Sequence, residues 1–301
     1  MSTVHYTNCL VCGSTDIKPV LSAKDHTVTG EEFRIAECSS CGLRFTQDHP
    51  DPQHIIPYYK SENYISHSNS SNGFVNRLYQ KVRKKTMRQK RKLLECTTGL
   101  HSGALLDMGS GTGAFVKEME SQQWKVMGLE PDADARAMAN KLYGIELKET
   151  GWLYELKENV FDAVTLWHVL EHVHDLHGCI REIKRVMKEN GKLFVAVPNY
   201  TSTDAGIYKE NWAAYDVPRH LYHFSPGSMK VLMEKHGLKI LRYKPMWYDS
   251  FYISIMSSKY KRGKTRFISS FFNGFRSNLV ALFDKKRCSS VIYVIVKGIG
   301  N

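Results

Sequence analysis

The 301-residue chain has no run approaching eighteen apolar residues, so the pattern offers no membrane-spanning helix. Its opening, MSTVHYTN, has neither a basic n-region nor an apolar h-region; no secretory signal is expected, and a cytoplasmic setting is. Cysteine is scarce, with seven residues, and in a reducing compartment close spacing points to metal rather than to disulfides. No internal repeat is visible. The remainder, 42% hydrophobic and 24% charged, describes an ordinary globular protein with one sizeable core and a small appendage.

Acidic charge is the sign in short supply. Lys and Arg number 42 against 30 Asp and Glu, a net charge of +12. Nine of the sixteen residues from Arg77 to Lys92 are basic and none is acidic. A second basic cluster runs from Lys259 to Arg266. Such patches attract anionic partners, nucleic acid among them, but a solvated helix face has the same composition.

Residues 1–50 carry the paired cysteines and little helical periodicity. Residues 51–100 comprise a connector holding YYKSENYISHSNS and a basic helix over 74–96. From residue 101 onward, short apolar runs alternate with helical patterns, which predicts βαβ units and a mostly parallel sheet. ALLDM, WKVMGLE, FDAVTLWHV and KLFVAVPN read as strands, with two later ones in LKILRYKPMW and SSVIYVIVK. Helices are expected from Ala114, over Asp132–Tyr143 closed by Gly144, and after Asp175 up to Asn190-Gly191. A helical insert falls over 248–287; its basic, amphipathic character suits a membrane surface, though such helices more often pack on their own domain or on a dimer partner.

Cys9-x-x-Cys12 and Cys38-x-x-Cys41 form two knuckles, each followed by glycine. Two-residue spacing turns both thiolates of a knuckle onto one ion, and the glycine relieves the tight turn. Four thiolates close the coordination shell, so the expected zinc is structural and supplies much of the folding energy of a segment this short.

In LLDMGSGTGAF, Gly109, Gly111 and Gly113 follow a buried strand and open a helix, letting a ligand approach backbone N–H groups. Gly109, Gly111 and Ala114 also fit the dinucleotide fingerprint. Asp107 separates the two readings: it would repel a pyrophosphate but attract the ammonium of a methionine moiety. Glu130, ending the next strand, can accept hydrogen bonds from both hydroxyls of a ribose.

With LLDMGSGTGAF, GLEPDADA, FDAVTLWHVLEHV and KLFVAVPN in that order, the sequence resembles class I S-adenosylmethionine-dependent methyltransferases over nearly half its length, Ala104–Trp247. The resemblance implies a Rossmann-like seven-stranded sheet, mostly parallel with its last strand antiparallel. It further implies that Asp107, Gly109 and Gly111 line the methionine end of S-adenosylmethionine and Glu130 the ribose. Trp152 and Leu153 would then lie near adenine, and Trp167 and His168 beside the cofactor. An acidic residue common after the third strand is missing near Thr150-Gly151. The N-terminal part resembles a subgroup in which a zinc ribbon precedes the catalytic domain, some sugar C-methyltransferases included. The subgroup's connector approaches the cofactor and matches Tyr58-Tyr59 and the run from Tyr64, which makes Tyr59 and Tyr64 candidate contacts.

His168-Val169-Leu170-Glu171-His172 also spells the H-x-x-E-H metalloprotease signature, which needs both histidines on one helix face. Similarity to ubiquinone-pathway O-methyltransferases raises a divalent ion near Glu171 and His172, although His168 replaces the first acidic residue of that pattern. For proton removal from an acceptor, the long segment past VAVPN concentrates candidates: His220 and His223 first, then Tyr222 and His172. Three readings stay open: methyl transfer to an O or C atom of a small anionic or sugar-like metabolite, an RNA methyltransferase gripping through the basic helix, and a non-catalytic binding module.

Overall fold

The computed structural model of the chain describes residues 2–59 and 74–298, apart from the side chains of 74–80. Tyr64 lies outside the described residues. Three strands, β1 (Ile17–Lys24), β2 (Glu32–Cys38) and β3 (Arg44–Thr46), form an antiparallel meander after the first knuckle. Helix α1 (Phe74–Thr98) then leads into β4 (Ala104–Met108), α2 (Ala114–Glu120), β5 (Lys125–Leu129) and α3 (Ala133–Tyr143). Strand β6 (Phe161–Trp167), α4 (Leu176–Val186) and β7 (Met187–Pro198) complete the parallel part. After α5 (Thr203–Tyr208) come β8 (Tyr222–His223), α6 (Pro226–Lys235) and β9 (Leu238–Pro245). A helical pair, α7 (Asp249–Arg262) and α8 (Phe267–Phe283), precedes β10 (Ser290–Lys297).

The central sheet has the order β9-β10-β7-β6-β4-β5, with β10 antiparallel to both of its neighbours. Of the seven strands implied by the resemblance, six form. At the outer edge of β5, Leu129 and Lys148 make a single parallel bridge where a seventh would lie. The reason is local. Ile145 and Leu147 turn inward onto Val116 and Ala139, leaving Lys148 alone to exchange backbone hydrogen bonds with Gly128 and Glu130. Helix α4 also stops earlier than Asn190-Gly191: Met187 is already extended and pairs with Phe161, so the Asn-Gly pair belongs to β7.

The expected caps form at Asp132, Asp175 and Ser225, and Gly144 closes α3 in the left-handed conformation. Asp132 accepts from the amides of Asp134 and Ala135, Asp175 from Gly178, and Ser225 forms a reciprocal capping box with Ser228 ahead of Pro226. Leu94 of α1 packs with Leu105, Phe115, Met119 and Trp124 against one face of the sheet. The larger core on the other face is continuous with the Cys-bearing meander. That continuity is covalently distant but physically direct, because β8 adds to β3, pairing Tyr222 with Phe45 and His223 with Arg44. Lys235 donates to the Val11 carbonyl and Tyr200 to that of Gly42, fixing both knuckles against the core. Among the described residues, no helix is long and apolar enough to cross a membrane.

Candidate active site and metal centre

The glycine loop sits where β4 ends. Gly109, Gly111 and Gly113 all have positive φ, and at Gly109 a Cβ would lie 2.3 Å from Cγ2 of Val169. Any side chain there would push apart the loop and the segment after β6, so glycine is required twice over. Ser110 Oγ donates to the Asp107 carbonyl, while the amides of Gly109 and Ser110 both donate to Leu129. The loop thus joins the ends of β4 and β5.

Two carboxylates flank it. Asp107 is almost fully buried; its Oδ1 accepts from Thr165 Oγ1 at 2.6 Å, and burial pushes its carboxyl up to about 6. Glu130 accepts from the Gly111 amide at 2.7 Å and the Asp132 amide at 3.0 Å. Burial raises its pKa against those two amides. Each of its oxygens uses one acceptor site on the backbone and keeps another for a ligand hydroxyl.

Around this loop the remaining cofactor candidates separate. Leu153 is buried on the 3-10 helix Thr150–Glu155, whereas Trp152 beside it is exposed, with Lys148 Nζ 5.4 Å from its ring centroid. Trp167 stands edge-to-face with Phe115, and the Lys90 ammonium lies 4.4 Å from the Trp167 ring centroid. His168 adopts φ 59°, places Nε2 3.1 Å from Asp249 and Nδ1 3.3 Å from Glu171. Burial opposes protonation there, but the two carboxylates win and lift its pKa to about 9. Residues 170–172 form only one 3-10 turn. The H-x-x-E-H run is therefore not a helix, and its histidines do not share a face: His168 turns to Asp249 and His172 elsewhere. The metalloprotease reading is overturned.

His172 meets His220 instead, their rings 4.6 Å apart and nearly perpendicular. Nδ1 of His172 lies 3.0 Å from the Arg219 carbonyl, and Nδ1 of His220 lies 2.9 Å from that of Ala214. A carbonyl can only accept, so each Nδ1 carries a hydrogen and Nε2 is the nitrogen that can take up a proton; that of His220 lies 4.0 Å from Asp216 Oδ2. Burial, then the neighbouring His220, lowers His172 to about 4. Tyr59 reaches the same place, its hydroxyl 3.1 Å from His172 Nδ1. Glu171 is fully buried beside them; its Oε1 pairs with His168 Nδ1, while Oε2 has no hydrogen-bond partner among the described residues. One ligand atom from each of Glu171, His172 and His220 lies within 4.8 Å of the others.

The other two candidates for proton removal are turned away. His223 is buried with Nε2 3.1 Å from Thr46 Oγ1 and its ring against Tyr215; burial holds its pKa well below the usual range. Tyr222 is buried too, donating to the His174 carbonyl, with its pKa raised by burial. Both serve the β8–β3 joint.

Lys90 and Asp249 were not singled out in the sequence, and Arg219 was given no role there. Lys90 is buried at the strand ends, its pKa lowered by burial to about 8 with Asp249 and Asp107 acting against that. Asp249 pairs with His168. Arg219 is fully buried and bridges Asp216 (2.7 Å) and Asp25 (3.0 Å) while donating to the Tyr58 carbonyl, tying the meander, the connector and the histidine pair together. Helical register holds a signal for Lys90: Met87, Lys90 and Leu94 fall on one face of α1, so one cation of the basic run points inward.

At the other centre, Sγ of Cys9 lies 3.5 Å from that of Cys41, and Sγ of Cys12 3.5 Å from that of Cys38; all four are within 4.8 Å of one another. Tetrahedral zinc with Zn–S near 2.3 Å needs S···S of about 3.8 Å. The cage therefore fits one zinc ion. The hydrogen bond between Cys9 and Cys41 lowers the one thiol and raises the other, so the pair shares a proton that metal binding would release.

A family profile described as a methyltransferase domain matches residues 78–243, more than half the chain. Among curated proteins, the chain is 23% identical over 257 residues to a C-methyltransferase, NovU, of Streptomyces niveus, covering 77% of this chain and 56% of that protein. It is 31% identical over 119 residues to a ubiquinone biosynthesis O-methyltransferase of Glaesserella parasuis, covering 35% and 50%. The chain thus spans about half the length of these relatives. In fold it is similar to magnesium protoporphyrin IX methyltransferase of Synechocystis, with a TM-score of 0.53, 14% identity, and coverage of 82% of this chain and 100% of that one. The glycine loop, its flanking carboxylates and strands β4 to β7 all lie inside the matched segment, and the chain belongs to the methyltransferase-domain family.

Proposed function

We propose that the chain transfers a methyl group from S-adenosylmethionine to an O or C atom of a small, anionic or sugar-like acceptor, in a reducing cytoplasm. One observation carries the reading: a buried carboxylate, Asp107, and a loop-held carboxylate, Glu130, bracket a glycine loop with open space at Gly111. Asp107 would hold the methionine ammonium and Glu130 the ribose hydroxyls, with Leu153 and Trp152 toward adenine. When bound, the cofactor supplies a methyl group made electrophilic by its sulfonium. The chain's own work is to align the acceptor, exclude water and take up a proton.

Proton removal falls to Nε2 of His220 or His172. The acceptor's O–H or C–H hydrogen passes to that nitrogen as the new bond to the methyl carbon forms, and the C–S bond pair leaves with sulfur. Val169 packs against Gly109 only three residues before His172, which supports the histidine pair and the loop acting on one ligand pair. A second reading keeps Glu171, His172 and His220 as ligands of a divalent cation, favoured by Glu171 Oε2, which is buried without a hydrogen-bond partner among the described residues. The test is turnover of labelled S-adenosylmethionine against a panel of hydroxylated and anionic metabolites, with and without chelator. Transfer that survives chelation favours the base; transfer restored only by a divalent ion favours the metal. Labelling of RNA alone would move the acceptor to nucleic acid.

A further inference from the structure

Surface helices normally bury their large apolar side chains and expose small or polar ones. Helix α8 does the reverse. Its inward face consists of Ser270, Gly274, Ser277 and Ala281, and at Gly274 a Cβ would come within 3.0 Å of the Phe251 backbone, so close packing requires small residues there. The outward stripe holds Ile268, Phe271, Phe272, Leu279, Leu282 and Phe283, with exposure rising to 77% at Ile268 and 93% at Phe283. Phe271 stacks on Phe251, but six large apolar groups this exposed on one helix face leave most of their surface in water, and contiguous patches of this kind mark interaction surfaces. An apolar groove of about 360 Å³ between α8 and the Trp247–Phe251 segment opens on the same side, sharing Leu279 and Leu282 with the stripe.

Charge selects the occupant. Between Lys259 and Arg287 there are nine Lys and Arg, all exposed, against one acid, Asp284. Two copies of this chain placed face to face would bring together two strongly positive rims. Nucleic acid would neutralise the rims but leave Ile268, Leu279 and Leu282 in water. An anionic bilayer meets both needs, with headgroups for the cations and acyl chains for the stripe. No described helix is suited to crossing, so the hairpin would lie in the interface. We propose that α7 and α8 dock the protein on anionic lipid membranes through the α8 stripe, with the groove admitting an acyl chain.

The test is co-sedimentation of the full chain with vesicles of phosphatidylcholine alone and with about one third phosphatidylglycerol. Binding is expected only with the anionic lipid, weakened by high salt, and reduced by at least about tenfold in Phe272→Ser/Phe283→Ser. The melting temperature and S-adenosylhomocysteine binding of that variant should match wild type, since both side chains are exposed. Absence of binding to anionic vesicles, undiminished binding by the variant, or a solution dimer or RNA complex that the variant abolishes while vesicles are ignored would each overturn the proposal.

Discussion

Replacing Asp107 with Asn keeps the side chain's shape and its bond from Thr165 but removes the charge. A hydrogen bond to a charged group contributes about 1.5–3 kcal/mol, so affinity for S-adenosylhomocysteine should fall roughly ten- to a hundredfold. Burial has raised the carboxyl to about 6, and an ammonium ligand needs the ionised form. Wild-type affinity should therefore decline as pH drops through 6, by up to about tenfold per unit, whereas the Asn variant should be flat over that range. Stability should move the other way. A folded pKa above the unfolded value of about 3.9 means that the folded state binds more protons between about 4 and 6, so this group's contribution weakens as pH rises through that window. Two units correspond to at most about 3 kcal/mol, and Asp107→Asn should leave the apo protein as stable as wild type or more so at pH 7–8. Calorimetric titration across pH 5–8 with thermal melts on the same samples measures both. A variant that binds normally, or one whose weakened binding accompanies a destabilised fold, would refute the assignment.

If His220 or His172 removes the acceptor proton, its replacement by Ala should lower turnover by about 10²–10⁴-fold while cofactor affinity stays within a few-fold, as stopped assays and titration will report. His223→Ala should instead lower the melting temperature and leave turnover per folded molecule near wild type. One zinc per chain is expected by elemental analysis, lost on replacing Cys9 or Cys41 with Ser; a value near zero in chelator-free preparations contradicts the cage. Arg219→Met strands Asp25 in the interior and should cost about 3–5 kcal/mol in denaturant unfolding.

The six strands of the central sheet were legible because each is a short apolar run bounded by polar or glycine residues, and Asp107, the loop and Glu130 follow from position alone. The missing seventh strand was not legible: Ile145, Leu147 and Lys148 alternate as a strand does, and only the pull of Val116 and Ala139 reduces them to a bridge. Ranking His220, His223 and His172 also lay beyond the sequence. His223 differs from His220 only in pairing with β3, a contact across more than 170 residues. Lys90 was hidden among eight other cations, and the inversion of α8 by its setting, since amphipathicity does not say which face the core takes.

The central claim is that the glycine loop and its two carboxylates hold S-adenosylmethionine rather than a dinucleotide. Titration of the full chain with S-adenosylhomocysteine and, separately, NADH tests it most directly. The account predicts saturable binding of S-adenosylhomocysteine at one site per chain, weakened in Asp107→Ala and Glu130→Ala, with no NADH heat. Tight NADH binding without affinity for S-adenosylhomocysteine would contradict it.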